Sequence, residues 1–133
     1  AWAAPAGFVA LLVAGCLAGF AGLQIPAIEP MIAASVLVLG LLVMVQQKMA
    51  AGAAAGLVGV FAFFHGAAHG YELFEESLAP AAGVIVGMAA GSAILHLAGM
   101  AVGHQVMRRF QTLAKVAGGL TAALGAFMLT RLA

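Results

Sequence analysis

Apolar residues fall into five runs divided by short polar breaks. The first covers 3–23 and closes at Gln24 and the Pro26/Pro30 pair. The second, about 27–45, ends at Gln46, Gln47 and Lys48. A third run, 50–69, leads into Tyr71-Glu72-Leu73-Phe74-Glu75-Glu76. The fourth, about 79–102, is followed by His104 to Gln111 with Arg108 and Arg109, and the fifth, 113–132, holds Lys115 and Arg131 near its ends. Each run approaches the roughly 20 residues that a helix needs to cross a bilayer. The pattern predicts about five transmembrane helices. Short connections predict that sequential helices lie antiparallel as neighbours in one compact bundle, a single domain over 1–133.

Composition agrees. Of 133 residues, 65% are hydrophobic and 7% charged, whereas soluble domains run near 45–50% apolar and about 25% charged. A soluble fold of this size could not bury so much apolar surface, so the expected class is an all-α integral membrane protein. Five cations against four carboxylates give no phosphate-binding patch and exclude nucleic acid as a partner. The chain has no Asp and no Asn, which removes an EF-hand loop and any N-glycosylation sequon. Its one cysteine, Cys16, permits no internal disulfide. The Val13-Ala14-Gly15-Cys16 run has the form of a lipoprotein cleavage box, but no basic residue precedes it and Ala-Gly-Cys is ordinary helix-packing composition.

The few charges set a topology. Glu29 lies between the first two runs, Lys48 between the next two, the Glu72/Glu75/Glu76 group follows the third, and Arg108, Arg109 and Lys115 follow the fourth. Cytoplasmic loops carry the excess of Lys and Arg, so the Lys48 and Arg108/Arg109 loops are expected in the cytoplasm of a bacterial inner membrane and the Glu loops outside. Arg131 is the one dissenting cation, and it and Lys115 are read as snorkelling to the interface. Trp2 and His104 are read as interfacial anchors.

Glycine is frequent, 18 residues in all, and much of it is spaced by four. Gly83, Gly87 and Gly91 form a double GxxxG continued by Gly99 and Gly103, and Gly15/Gly19, Gly52/Gly56 and Gly66/Gly70 repeat the interval. Lipid supplies no hydrophobic drive for helices to associate, so close backbone approach over small residues does the packing. These are expected to be packing faces. The seven methionines are scattered and read as filling.

Candidate chemistry sits near the end of the third run, Phe61-Ala62-Phe63-Phe64-His65-Gly66-Ala67-Ala68-His69-Gly70-Tyr71-Glu72. His65, His69 and Glu72 are spaced i, i+4, i+7, on one helical stripe. Two imidazoles and a carboxylate can offer two or three ligands to nickel, cobalt or zinc. Alternatively, His69 and Glu72 lie at the interface, bonded to headgroups and water. His96, within Ile94-Leu95-His96-Leu97-Ala98-Gly99, is either a packing residue bonded to Ser92 or a backbone carbonyl, or a weaker ligand. Ionisable groups within a span are costly and mark functional sites by default. Counting residues along straight helices separates His65 and His96 by about 13 Å in depth, so they would mark successive levels of a path and not one coordination sphere.

The segment Phe64-His65-Gly66-Ala67-Ala68-His69-Gly70-Tyr71-Glu72 resembles the FHGxxHGxE motif of the HupE/UreJ family of hydrogenase and urease accessory membrane proteins. Val58-Gly59-Val60-Phe61-Ala62, Ala93 to Gly99 and the Pro26 turn are similar to that family too, so the likeness runs along essentially the whole chain. It implies secondary transport of nickel or cobalt for metallocentre assembly. His65, His69 and Glu72 would handle the metal, with His96 a weaker candidate. The family's other signature, an HP-containing stretch ending in Asp-His, has no counterpart here, and five runs are present where six spans are usual. The expectation is that an upstream helix is missing from this sequence, or that this member lacks half of the metal site.

The leading expectation is therefore a small permease that carries a divalent metal as its cargo, with no organic cofactor and no catalytic role. A structural or assembly subunit of a larger membrane complex is the alternative, and the expected partners are the lipid bilayer and either other membrane subunits or further copies of this chain in a homo-oligomer. Haem ligation by His65 and His96 is disfavoured by their difference in depth.

Overall fold

The computed structural model describes residues 3–46 and 48–132, with side chains from residue 5 onward. Trp2 and Gln47 lie outside the described residues. Five helices follow in order: α1 (Ala3–Phe20), α2 (Ile28–Val45), α3 (Ala51–Glu72), α4 (Leu78–Arg109) and α5 (Gln111–Leu132), with no strand among the described residues. Four of them, α2 to α5, are long and apolar enough to cross a membrane, while the apolar stretch of α1, Pro5–Phe20, is shorter. This is an all-helical, multi-pass membrane protein. Large apolar side chains point outward along its helices, among them Leu95, Val86 and Leu120, as a lipid solvent permits.

Two boundaries differ from the hydrophobic pattern. Helix α3 runs to Glu72, because a helix continues through polar residues once it reaches the interface, where water satisfies its last carbonyls. Helix α4 runs 32 residues to Arg109, about 48 Å at 1.5 Å per residue. That exceeds the roughly 30 Å hydrocarbon core. Arg108 and Arg109 occupy its last turn, where cations suit the helix dipole.

Internal contacts group the chain into two compact units interleaved in sequence, residues 1–28 with 49–96, and residues 29–48 with 97–133. In the first unit the intimate pair is α1 with α3. A Cβ on Gly7 would touch Ala55, one on Gly15 would press on Phe63, and one on Gly19 would reach Gly70 and Tyr71. The numbers rise together on both helices, so the pair is parallel. Close approach goes to the faces that carry the smallest residues. Gly66 lies against the backbone of Leu12 and Cys16, and Gly70 against that of Cys16 and Phe20. Buried Leu12 and Ala67 lie in this seam, and Phe61 and Ala62 of α3 are buried as well. The start of α4 joins it at Ala81, which clusters with Cys16 and Leu73, flanked by Phe20, Ile85 and Met88.

The second unit pairs α2 with α5, and here the order is reversed. Gly125 lies against Leu37, and Gly118 against Gly40 and Met44. These helices are antiparallel and share a core of small residues: Ala33, Gly40, Ala114, Gly118, Ala122 and Gly125.

The glycines singled out as the main packing face behave otherwise. Among the described residues, an added Cβ at Gly83, Gly87, Gly91, Gly99 or Gly103 would meet nothing within 4 Å, and the same holds for Gly52 and Gly56. Spacing by four places glycines on one face but does not supply the helix that covers it. The contact faces are Gly15/Gly19 with Gly66/Gly70, and Gly40 with Gly118 and Gly125.

Candidate metal site

The turn between α1 and α2 is shaped by residues that follow the helix end. The Leu23 N–H bonds the Ala18 carbonyl at 3.1 Å, and the Gly22 N–H bonds the Gly19 carbonyl at 3.0 Å. With Gly22 at φ +84° this is the 6→1, 5→2 cap that a left-handed glycine allows. Gly22 is needed twice, since a Cβ there would also strike the ring of Phe74 at 2.6 Å. Above it, the Tyr71 hydroxyl donates to the Leu23 carbonyl and accepts the Ile25 N–H at 2.5 Å. The chain's one tyrosine thus ties this turn to the end of α3, beside His69 and Glu72.

Helix α3 carries the histidine stripe on the element that α1 grips most closely. His65 is half-buried, and its Nδ1 lies 2.9 Å from the Phe61 carbonyl oxygen, one turn back. A carbonyl can only accept, so Nδ1–H donates, and in the neutral ring the lone pair is then on Nε2. His96 on α4 repeats the arrangement, with Nδ1 2.8 Å from the Ser92 carbonyl oxygen. Its ring is tilted against Phe8 of α1, with centroids 4.4 Å apart. This backbone tether on one ring nitrogen is how metal-binding imidazoles are commonly oriented for coordination through the other. His69 differs. It is 52% exposed, and its Nδ1 stands 3.5 Å from Oε2 of Glu72, which is 75% exposed.

The structure therefore brings His69 and Glu72 together, with His65 one turn before them. Among the described residues no three His, Cys, Asp or Glu side chains converge on one point. Helix geometry gives the reason. Residues i and i+7 are about 10.5 Å apart along the axis, so a stripe is a ladder of donors and not a cage. His96 is farther still. Phe8, which it touches, follows Gly7, and Gly7 faces Ala55 of α3. Ten residues of α3 separate Ala55 from His65, about 15 Å of helix. The two tethered imidazoles stand at separate levels of the same unit, a spacing that also disfavours a shared haem iron. His104, beyond them on α4, is exposed.

Two partners escaped the sequence. Phe8 carries no signal of its own in the sequence, and no local pattern links it to a histidine 88 positions away. Tyr71 was read as part of an acidic stretch after the helix. Its signal was its position, a polar-tipped aromatic at a span end opposite a Gly and Pro turn.

The HupE / UreJ protein family matches residues 1–128 of this chain. The chain belongs to the HupE/UreJ family. Similarity extends to the protein HupE of Rhizobium leguminosarum bv. viciae, 37% identical over 129 residues. That alignment covers 96% of this chain and 66% of the Rhizobium protein, so the chain spans about two thirds of that relative's length. No solved structure matches the chain. Within the HupE/UreJ framework, the FHGxxHGxE resemblance falls on the last two turns and the end of α3, where His65 to Glu72 stand.

Proposed function

We propose that this protein is a membrane permease whose cargo is a divalent transition metal, nickel in the first place and cobalt in the second, supplied to hydrogenase or urease maturation. The observation that carries the reading is the pair of tethered imidazoles, His65 and His96, within apolar helices. Each has Nδ1 engaged and Nε2 available, at levels too far apart for one ion. Borderline metals favour imidazole nitrogen, and ligands in steps allow an ion to be passed on where a closed cage would retain it. His69 and Glu72 would receive the ion at the exposed end of α3 and His65 would take it one turn deeper. His96 would serve the next level. In this reading the protein resides in a bacterial inner membrane with the Lys48 and Arg108/Arg109 loops cytoplasmic and the Glu loops outside, and no step is catalytic.

The test is uptake of radioactive nickel by cells expressing the complete protein. His65→Ala and His69→Ala should each lower uptake by on the order of tenfold or more, since even outer-shell partners of metal ligands are worth about 10–100-fold. Acidification should lower wild-type uptake in the same direction, because imidazolium cannot bind a metal. Unchanged uptake in both variants would overturn the mechanism.

A second reading, an assembly subunit of a larger membrane complex, draws on the uncovered glycine face of α4. In that case the protein would leave the membrane in detergent in fixed stoichiometry with other subunits, and nickel uptake would not depend on His65.

A further inference from the structure

The second unit contains a cavity of about 300 Å³ between the start of α2 and the end of α5. Ile32, Phe127, Met128 and Leu132 give it apolar walls, and Glu29 and Arg131 stand on the same lining. The antiparallel pairing of α2 and α5 explains why both charges reach one place. Glu29 lies in the first turn of α2 and Arg131 in the last turn of α5, each at the helix end whose dipole suits its sign. Both are exposed, and among the described residues neither has an ion-pair partner. Snorkelling accounts for an arginine at a span end, but it does not explain a carboxylate on the wall of the same apolar cleft.

A ligand matched to this arrangement has a hydrocarbon tail for the cleft, an anionic group for Arg131 and a hydrogen-bonding cation for Glu29. One lipid class offers all three. We propose that the cleft is a binding site for a phospholipid with a primary-amine headgroup, phosphatidylethanolamine. Its phosphate lies against the Arg131 guanidinium, its ammonium against the Glu29 carboxylate, and part of one acyl chain between Ile32 and Phe127. Phosphatidylcholine presents the same net charge, but its quaternary ammonium has no N–H to donate to Glu29. Phosphatidylglycerol keeps the phosphate and brings no cation. The lining shares no residue with the histidine stripe of α3, so the proposal stands whether or not the protein carries metal.

Native mass spectrometry of the purified full chain in mild detergent tests this, with the three lipids added at matched acyl composition. The wild type should retain phosphatidylethanolamine over phosphatidylcholine and phosphatidylglycerol by about fivefold, the factor that corresponds to roughly 1 kcal/mol for one charged contact at a membrane surface. Arg131→Gln should lower phosphatidylethanolamine binding by about the same factor. Glu29→Gln should abolish the preference for phosphatidylethanolamine over the other two. Ile32→Trp keeps both charges and fills the cleft, and it should weaken all three lipids together. Circular dichroism is the check that each variant keeps its helices. Three results would each overturn the proposal: equal retention of the three lipids by the wild type, a preference for phosphatidylglycerol, or undiminished phosphatidylethanolamine binding in both charge variants.

Discussion

Replacing Gly66 with alanine puts a methyl group on the carbonyl of Leu12 and 2.8 Å from the Cys16 nitrogen. Both are backbone atoms, so no side chain can turn aside. Ordinary carbon contacts begin near 3.5 Å, and α1 must therefore retreat from α3 by on the order of 1 Å. A gap of that size forfeits about a quarter to a half of the attraction between facing atoms. Overfilled packing of this kind costs about 1–3 kcal/mol, and the better helix propensity of alanine returns roughly 1 kcal/mol. The expected net effect is a destabilisation of up to about 2 kcal/mol. Gly87→Ala is the control. Among the described residues nothing stands within 4 Å of its added methyl, so only the propensity term acts and the change is a stabilisation of up to about 1 kcal/mol. The two substitutions are chemically identical, the propensity term cancels, and they should separate by about 1–3 kcal/mol. Unfolding in mixed micelles with rising denaturing detergent, followed by circular dichroism, measures the difference. If Gly66→Ala unfolds at the same detergent fraction as Gly87→Ala, the α1–α3 contact described above is wrong.

Tyr71→Phe removes the hydroxyl that bonds both Leu23 and Ile25. At about 0.5–1.5 kcal/mol for each hydrogen bond, the turn over residues 22–27 should exchange its amide protons roughly tenfold or more faster while the helices remain protected. Hydrogen exchange read by mass spectrometry gives the answer, and unchanged exchange would remove Tyr71 from its role. The carbonyl tethers at His65 and His96 predict that the neutral form of each ring is the Nδ1–H tautomer. Nitrogen-15 NMR of histidine-labelled protein at alkaline pH should show that tautomer at both positions, and the Nε2–H form at either would contradict the tether there. Phe8→Leu keeps apolar volume but removes the ring that holds His96. Broadened His96 resonances with those of His65 unaltered are expected.

The fold was largely legible because lipid imposes one rule on every span, and long apolar runs between polar breaks follow it directly. What stayed hidden was which helix touches which. Gly66/Gly70 and Gly83/Gly87 look alike in sequence, yet one pair meets the backbone of α1 and the other meets nothing. The difference lies in the complementary Gly15/Gly19 on the partner, a property of two segments that no single one displays. The candidate site was legible in the same partial way. Ionisable groups stand out against an apolar background, so His65, His69, Glu72 and His96 were visible at once. Their division into tethered and exposed imidazoles depends on i−4 carbonyls and on Phe8, which only the folded backbone supplies.

The parallel union of α1 and α3 imposes an order on biogenesis. Gly15 meets its counterpart at Phe63, 48 residues later in the chain, and two parallel spans cannot be adjacent in an alternating insertion. The first helix must wait in the bilayer, its glycine face open, until the return helix and then α3 have been threaded. During that interval the nascent chain is a substrate for membrane proteases. Substitutions at Gly15, Gly19, Gly66 or Gly70 should thus register in the cell first as shortened lifetime of newly made protein, before any loss of function per molecule.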